Sequence, residues 1–174
     1  RHFKGRMAGL LVSSVAFSGK QAACVFANGE EFLPSVLETC GQLPGQELSV
    51  GFLNTHNDTS GYAHKVTMLG DATAKFNGVH FDGAGDGVRI ANFKYAQDAS
   101  FTVSFWMTKQ ACTRHVYEYL YSHHEKTDSA MYRSSFVNVY LACESSGGGW
   151  STLGGTVIRY NVRDSSGHEA VMDF

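Results

Sequence analysis

The acidic side chains are the first residues that could do chemistry, because two carboxyl groups can cleave a glycosidic bond as acid and base. Such a pair must hold its carboxyl groups about 5 to 10 Å apart. Glu169 and Asp173 share one face of a predicted strand, but along extended chain their Cα atoms lie about 13 Å from each other. The 174 residues contain no G-x-S-x-G, H-E-x-x-H or phosphate-binding glycine motif. The sequence therefore predicts that the chain is not an enzyme.

A second acidic group comprises Asp58, Asp82 and Asp86, which lie in segments rich in glycine and serine. Their carboxylate oxygens could bind a hard cation such as calcium. Aspartate in such segments more often forms turns, because its side chain accepts hydrogen bonds from nearby backbone N–H groups. We interpret these three residues as turn residues, with a calcium site as the alternative.

The cysteines have spacings that match no CxxC metal-binding or redox motif; they are Cys24, Cys40, Cys112 and Cys143. Their even number favours two disulfides, for which three pairings are possible. The local loops that the bonds would close favour Cys24 with Cys40 and Cys112 with Cys143. Disulfides form and persist in oxidising compartments, so the sequence predicts an extracellular or cell-surface protein.

The sequon Asn57-Asp58-Thr59 points to the same compartment. Asparagine in the pattern N-x-[ST] accepts N-linked sugar when it lies in a surface loop of a secreted protein. Asn57 is therefore a predicted glycosylation site.

The overall composition makes two kinds of partner improbable on physical grounds. Fourteen Lys and Arg against sixteen Asp and Glu give a net charge of −2, without a basic block that could follow a phosphate backbone. No apolar run approaches the roughly twenty residues that a bilayer span needs. We expect neither nucleic acid binding nor a membrane span. Because the chain opens at Arg1 without an initiator Met or a signal core, it is expected to be an internal or processed piece.

Alternating apolar and polar residues predict the β-strands that must position these groups. In the clearest example, Phe101, Val103 and Phe105 share one face of an extended segment with Met107. Further strands are predicted at residues 7–15, 48–53, 116–121, 136–142, 156–163 and 168–174.

The connections between strands complete the predicted architecture. Residues 82–87 and 164–167 are rich in Asp, Ser and Gly and are expected to close hairpins. Ser18 and Gln21 form a capping box that predicts one short helix over residues 22–27. Many short strands and almost no helix predict an all-β fold, an antiparallel β-sandwich of the jelly-roll type.

Two parts of the chain resemble opposite ends of the laminin-G-like domains, which belong to the concanavalin A-like lectin and glucanase superfamily together with the pentraxins. Residues 3–12, FKGRMAGLLV, resemble the closing strand of such a domain. Residues 81–88, FDGAGDGV, and residues 100–106, SFTVSFW, resemble the opening of another. The resemblance implies a concanavalin A-like fold. It also implies that residues 1–31 end one module, residues 32–46 link, and residues 47–174 begin a second module.

The likeness to pentraxins also implies a calcium site. In that family a strand runs into an acidic loop, which corresponds here to residues 123–129, and Asp128 falls near the position of a metal-binding aspartate. Glu125 would add a second carboxylate. The alternative is a solvated loop whose acids balance Lys126.

Aromatic side chains are the candidates for contact with a sugar. Most of them, including Trp106, lie in predicted strands, where packing in the core or across strands is expected. Trp150 follows three glycines in a loop and is the residue predicted to contact a sugar or a protein.

Three classes of function remain open. The favoured one is a structural adhesion segment that assembles with other copies or flanking modules of the same protein, because tandem modules supply complementary edges. The alternative is a calcium-dependent module that binds carbohydrate or matrix proteins, and a glycoside hydrolase is a remote third. Residues 7–15 are predicted to pair with strands from outside their own segment. Residues 168–174 are predicted to contact more protein than this chain supplies.

Overall fold

The structure, a computed structural model, describes residues 3–27, 40, 45–52, 56–94, 100–109, 116–125, 135–143, 156–164 and 166–173. This part of the chain is mostly strand with a single helix, and its strand pairs are antiparallel. The predicted all-β antiparallel class is confirmed, and the sheets are consistent with a β-sandwich. The jelly-roll order of a concanavalin A-like fold stays a prediction.

The chain divides into two compact units, Lys4–Lys109 and Gln110–Phe174 with Arg1–Phe3. The predicted linker at residues 32–46 falls mostly outside the described residues, and the division into two modules stays a prediction. In the unit Lys4–Lys109 the described elements are β1 (Lys4–Ser13), α1 (Gly19–Ala27), β2 (Gln46–Val50), β3 (Val66–Leu69), β4 (Thr73–Lys75), β5 (Gly78–Asp82), β6 (Gly87–Ile90) and β7 (Thr102–Lys109).

β1 is the central strand of a five-stranded sheet. β7 pairs with β1 along one edge, whereas β5 and β2 pair with successive halves of the other edge. With neighbours on both edges, β1 buries Leu11 and Val12 completely. The prediction that residues 7–15 pair with strands from outside their own segment is confirmed, and these strands belong to the same chain.

A glycine allows β1 to change partners. β1 pairs with β5 up to Met7 and with β2 from Leu10 onward, and its register with β7 shifts between Ala8 and Leu11. Gly9 lies inside this irregularity with a φ of 57°, a left-handed conformation that glycine adopts without a steric penalty. Its N–H donates to the carbonyl oxygen of Gly51 at 3.2 Å.

The helix forms as the capping box predicts. The Gln21 side chain accepts a hydrogen bond from the backbone N–H of Ser18 at 2.9 Å, and the Gln21 N–H donates to the Ser18 hydroxyl at 3.3 Å. These bonds satisfy donors that the first helical turn leaves open. Val25, on the opposite side of the helix from solvent, is buried and packs against Leu11 of β1.

The first predicted disulfide is confirmed. Cys24 of α1 is bonded to Cys40, with their Cα atoms 5.6 Å apart. Cys112 lies outside the described residues and the side chain of Cys143 is not described, so the second bond stays a prediction.

The predicted hairpin at residues 82–87 is wrong. β5 pairs with β1 and β4, whereas β6 pairs with β3 in a separate two-stranded sheet. The Asp86 carboxylate accepts hydrogen bonds from the backbone N–H groups of Asp71 and Asp82. It therefore joins this loop to the turn between β3 and β4 instead of closing a ladder between β5 and β6.

The second unit contains a four-stranded sheet of β8 (Val116–Glu125), β9 (Ser135–Cys143), β10 (Thr156–Arg163) and β11 (Glu169–Asp173), each next to its predecessor. The predicted hairpin at residues 164–167 is confirmed by the pairing of β10 with β11. β8 runs further than predicted, because Glu125 still pairs with Ser135.

Among the described helical residues, none form a stretch both long and apolar enough to span a bilayer.

Candidate functional site

The β10–β11 hairpin is the most exposed strand pair of its sheet and is the candidate site. Its turn is fixed by Asp164, whose carboxylate accepts hydrogen bonds from the backbone N–H groups of Ser166 and His168, both at 2.9 Å. The His168 N–H lowers the pKa of Asp164, and the His168 ring at 3.0 Å adds to this effect. The described side chains from Ser166 to Met172 are all exposed. The turn is therefore held by its own hydrogen bonds rather than by burial.

One face of this hairpin is polar. Glu169 lies opposite Arg163 in the ladder. Its carboxylate accepts hydrogen bonds from the Arg163 guanidinium at 3.0 Å and from the Asn161 amide at 2.6 Å. Because each carboxylate oxygen has a partner, Glu169 acts as a cross-strand tie.

The other face is apolar, and its cover decreases towards the edge of the sheet. Leu141 in β9 is 1% exposed, whereas its neighbour Ile158 in β10 is 37% exposed. In the next row, Val139 is 8% exposed, and Met172 of β11 is 47% exposed. Tyr160 lies between these two, and burial raises the pKa of its hydroxyl to about 12. The apolar face thus becomes more exposed from β9 towards β11.

β11 also ends the sheet. It pairs with β10 along one edge, and within the described chain no strand pairs with its other edge. Such an edge presents N–H and C=O groups in a row that another strand can bind. The prediction that residues 168–174 contact more protein than this chain supplies stays a prediction, and the position of β11 at the edge of the described sheet is compatible with it.

An acidic cluster lies in the other unit. Asp71, Asp82 and Asp86 are the one group of three potential metal ligands in the described part of the chain, with ligand atoms within 4.8 Å of one another. The N–H groups of Asp82 and Asp71 donate to the Asp86 carboxylate at 2.7 and 3.0 Å. The Asp82 N–H is the main cause that lowers the pKa of Asp86. The hydrogen bond to Asp86, with the negative charge of Asp82, raises the pKa of Asp71.

These contacts explain the cluster as a junction between two turns. The interpretation of Asp82 and Asp86 as turn residues agrees with their hydrogen bonds, since Asp82 also accepts the Ala84 N–H at 2.6 Å. Sequence reasoning missed Asp71, although the turn-forming pair Gly70-Asp71 was an available signal.

Asp58 does not belong to this cluster. Its carboxylate accepts hydrogen bonds from the backbone N–H groups of Ser49, Ser60 and His64 at 3.0, 2.9 and 2.8 Å. The Ser60 hydroxyl adds a fourth bond at 2.8 Å. Burial of the carboxyl opposes ionisation, but these hydrogen bonds outweigh it and lower the pKa of Asp58. Asp58 therefore fastens the loop after β2 to that strand.

A mostly apolar cavity of about 390 Å³ lies between α1 and β7. It is lined by Phe17, Val25 and Phe26 on one side and by residues 102–106 on the other. Phe26 is 71% exposed and stacks on Trp106, with ring centroids 5.4 Å apart. Trp106 thus packs in the core, against Leu11 of the paired strand β1 as well as against the helix. Sequence reasoning missed Phe26, a large apolar residue in the last turn of the helix.

Tyr119 and Tyr140 show the packing that was expected of the strand aromatics. They pair across β8 and β9 with ring centroids 5.5 Å apart.

The predicted calcium ligands and sugar contact lie beyond what the structure describes. Asp128 and Trp150 lie outside the described residues, and the side chain of Glu125 at the end of β8 is not described. Calcium binding and sugar contact at these residues stay predictions.

No protein-family model, curated protein or solved structure matches this chain. The likeness to laminin-G-like and pentraxin domains therefore rests on the sequence blocks alone and stays a prediction.

Proposed function

We propose that this chain is a non-catalytic extracellular structural segment that assembles with other copies or modules of the same protein through β11. The observation that carries the proposal is the loss of cover across one apolar sheet face, from Leu141 at 1% exposure to Met172 at 47%. Further protein that continued the sheet would bury this face and pair the edge of β11.

β11 lacks several of the features that usually protect a sheet edge. Proline, bulges and inward-pointing charges are three of these protections, besides charged side chains and short strands such as β11 itself, which has five residues. The strand contains no proline, its ladder with β10 is regular, and Glu169 is neutralised by Arg163. The edge strand at the other end of the sheet differs, because Glu118, Leu120 and Tyr121 of β8 are buried.

The extracellular location is supported by the Cys24–Cys40 disulfide, since reducing compartments disfavour such bonds. The likeness to laminin-G-like modules supports tandem arrangement. Module pairs of that kind can join through self-complementary surfaces.

Self-association of the purified chain tests the proposal. Sedimentation equilibrium at rising protein concentration is expected to show dimers or larger species. Full burial of a methionine side chain contributes about 1.5–3 kcal/mol, and Met172 has about half of this left to gain because it is 47% exposed. Met172→Lys is therefore expected to weaken association by roughly threefold to tenfold. Val171→Lys is the matched control, because Val171 is similarly exposed, at 50%, and lies on the polar face of the same strand.

Two results would rule out β11 as the assembly surface. One is a chain that stays monomeric at every concentration. The other is a folded Met172→Lys variant, checked by circular dichroism, that associates as tightly as the unmodified chain.

A second candidate function is carbohydrate or matrix binding, and the cavity beside Trp106 favours it. Ligand sites are commonly cavities of roughly 300–1,000 Å³ with aromatic walls, and Phe26 and Trp106 contribute aromatic rings to the wall of this cavity. Titration of a Trp150→Phe variant with neutral and acidic oligosaccharides should change the fluorescence of Trp106. Phe26→Ala should weaken that response, and an unchanged response would exclude this cavity.

A further inference from the structure

The sequon residues differ sharply in how the fold uses them. Asp58 is held by four hydrogen bonds from Ser49, Ser60 and His64. The Thr59 hydroxyl donates to the carbonyl oxygen of Ser49 at 3.1 Å, and the Thr59 N–H donates to the same oxygen at 2.7 Å. Two of the three sequon residues are thus tied to β2.

Asn57, the remaining residue of the sequon, is exposed, as is His56 before it. Asp58 instead forms a β-bridge with Val50 of β2. The hydrogen bonds described for this loop are made by Asp58 and Thr59 and do not involve the Asn57 side chain. A large group on Asn57 would therefore displace none of the contacts that hold this loop.

We propose that Asn57 carries an N-linked oligosaccharide. The donor would be an oligosaccharide on a polyprenyl diphosphate. A bond forms between the Asn57 amide nitrogen and the anomeric carbon, the bond from that carbon to the diphosphate oxygen breaks, and the amide proton passes to a base of the transferase. The step is a group transfer without a change of oxidation state. This site rests on the extracellular location proposed above, but not on assembly through β11.

The hydrogen bonds of Thr59 favour modification before the loop closes. A transferase that recognises N-x-[ST] needs the sequon hydroxyl as well as the asparagine, and in the folded chain the Thr59 hydroxyl is bonded to Ser49. The extended, unfolded loop leaves both groups accessible. Transfer to the nascent chain is therefore expected, and transfer to the folded chain is not.

Expression behind a cleavable leader in secreting eukaryotic cells tests the proposal. Intact-mass measurement should show a glycan on the secreted chain, and an amidase that releases N-glycans should remove it and convert Asn57 to aspartate. Asn57→Gln should lack the glycan, whereas Thr59→Ser keeps a hydroxyl for both the sequon and Ser49 and should retain it. The urea midpoint of Asn57→Gln should equal that of the deglycosylated chain.

A secreted, folded chain with unmodified Asn57 would overturn the proposal. That outcome leaves the assembly test intact, because self-association is measured on chain made in bacteria without the glycan. Efficient glycosylation of purified folded chain by the same transferase would overturn the inferred order of events.

Discussion

Replacement of Asp58 is expected to loosen the loop that follows β2. Asp58→Ala removes a carboxylate that accepts four hydrogen bonds, so the N–H groups of Ser49, Ser60 and His64 lose the acceptor that they share. Hydrogen bonds to a charged group contribute about 1.5–3 kcal/mol each, but they are not additive and water replaces part of them at this half-buried site. The expected loss in the free energy of unfolding is therefore about 2–4 kcal/mol.

Asp58→Asn removes the charge of the carboxylate but keeps the size and shape of the side chain. One oxygen of Asp58 accepts the N–H groups of Ser49 and Ser60, and the amide oxygen of asparagine can keep both bonds. Its NH₂ group then faces the N–H of His64, which bonds to the second carboxylate oxygen, so two donors meet. The expected loss is about 1–2 kcal/mol near neutral pH.

The pH dependence gives the sharper test. The pKa of Asp58 is lowered in the folded chain, so the charged carboxylate stabilises the fold fully above its unfolded pKa of about 3.9. This stabilisation is lost as the pH falls through the lower folded pKa. Urea unfolding of the unmodified chain and of Asp58→Asn should differ most near neutral pH and converge in acid. A difference in the free energy of unfolding that stays constant with pH would refute the role of the charge. An Asp58→Ala variant as stable as the unmodified chain would refute the role of the hydrogen bonds.

Two further substitutions test the first unit. Gly78 has a φ of 118°, and a Cβ there would lie 2.5 Å from the carbonyl oxygen of Met7, so Gly78→Ala is expected to destabilise the fold by at least about 1–3 kcal/mol in urea unfolding. Gly19→Ala is its control, because a Cβ at Gly19 meets nothing within 4 Å; equal effects of the two would contradict the close approach of β5 to β1. Replacement of Cys24 and Cys40 by serine opens a loop with a sequence separation of 16 and is expected to lower stability by about 3 kcal/mol, whereas an unchanged unfolding midpoint would argue against a stabilising bond.

Local patterns predicted the elements whose information is local. The capping box at Ser18 and Gln21 predicted the helix, which begins at Gly19, three residues before the predicted range, and alternation predicted β10 at residues 156–163 with the same bounds as the structure. The hairpin after β10 was also predictable, because Asp164 and Gly167 form a turn from nearby groups alone.

Partners distant in sequence were not predictable in this way. Alternation shows which side chains share a face, but not which strand lies alongside, so the pairing of β1 with β7 could not be read from residues 4–13. The loop at residues 82–87 shows the same limit. Its turn residues fit a hairpin, yet the Asp71 N–H donates a hydrogen bond to the Asp86 carboxylate. This bond joins the loop to the turn between β3 and β4. The candidate site was predicted as an edge, but the decreasing cover of its apolar face emerges only from exposure values across three strands.

Because β1 pairs with strands from distant parts of the chain, it is synthesised well before its partner β7. Gly5 pairs with Lys109 and Ser13 with Thr102. At a translation rate of about 5–20 residues per second, β1 waits roughly 5–20 s for β7 to be made. During that wait Leu11 and Val12, which end fully buried, have no partner on one edge of their strand. Asn57 is made within the same interval. The nascent chain therefore passes through a stage when the central strand of its five-stranded sheet needs protection from aggregation and its sequon is open to enzymes.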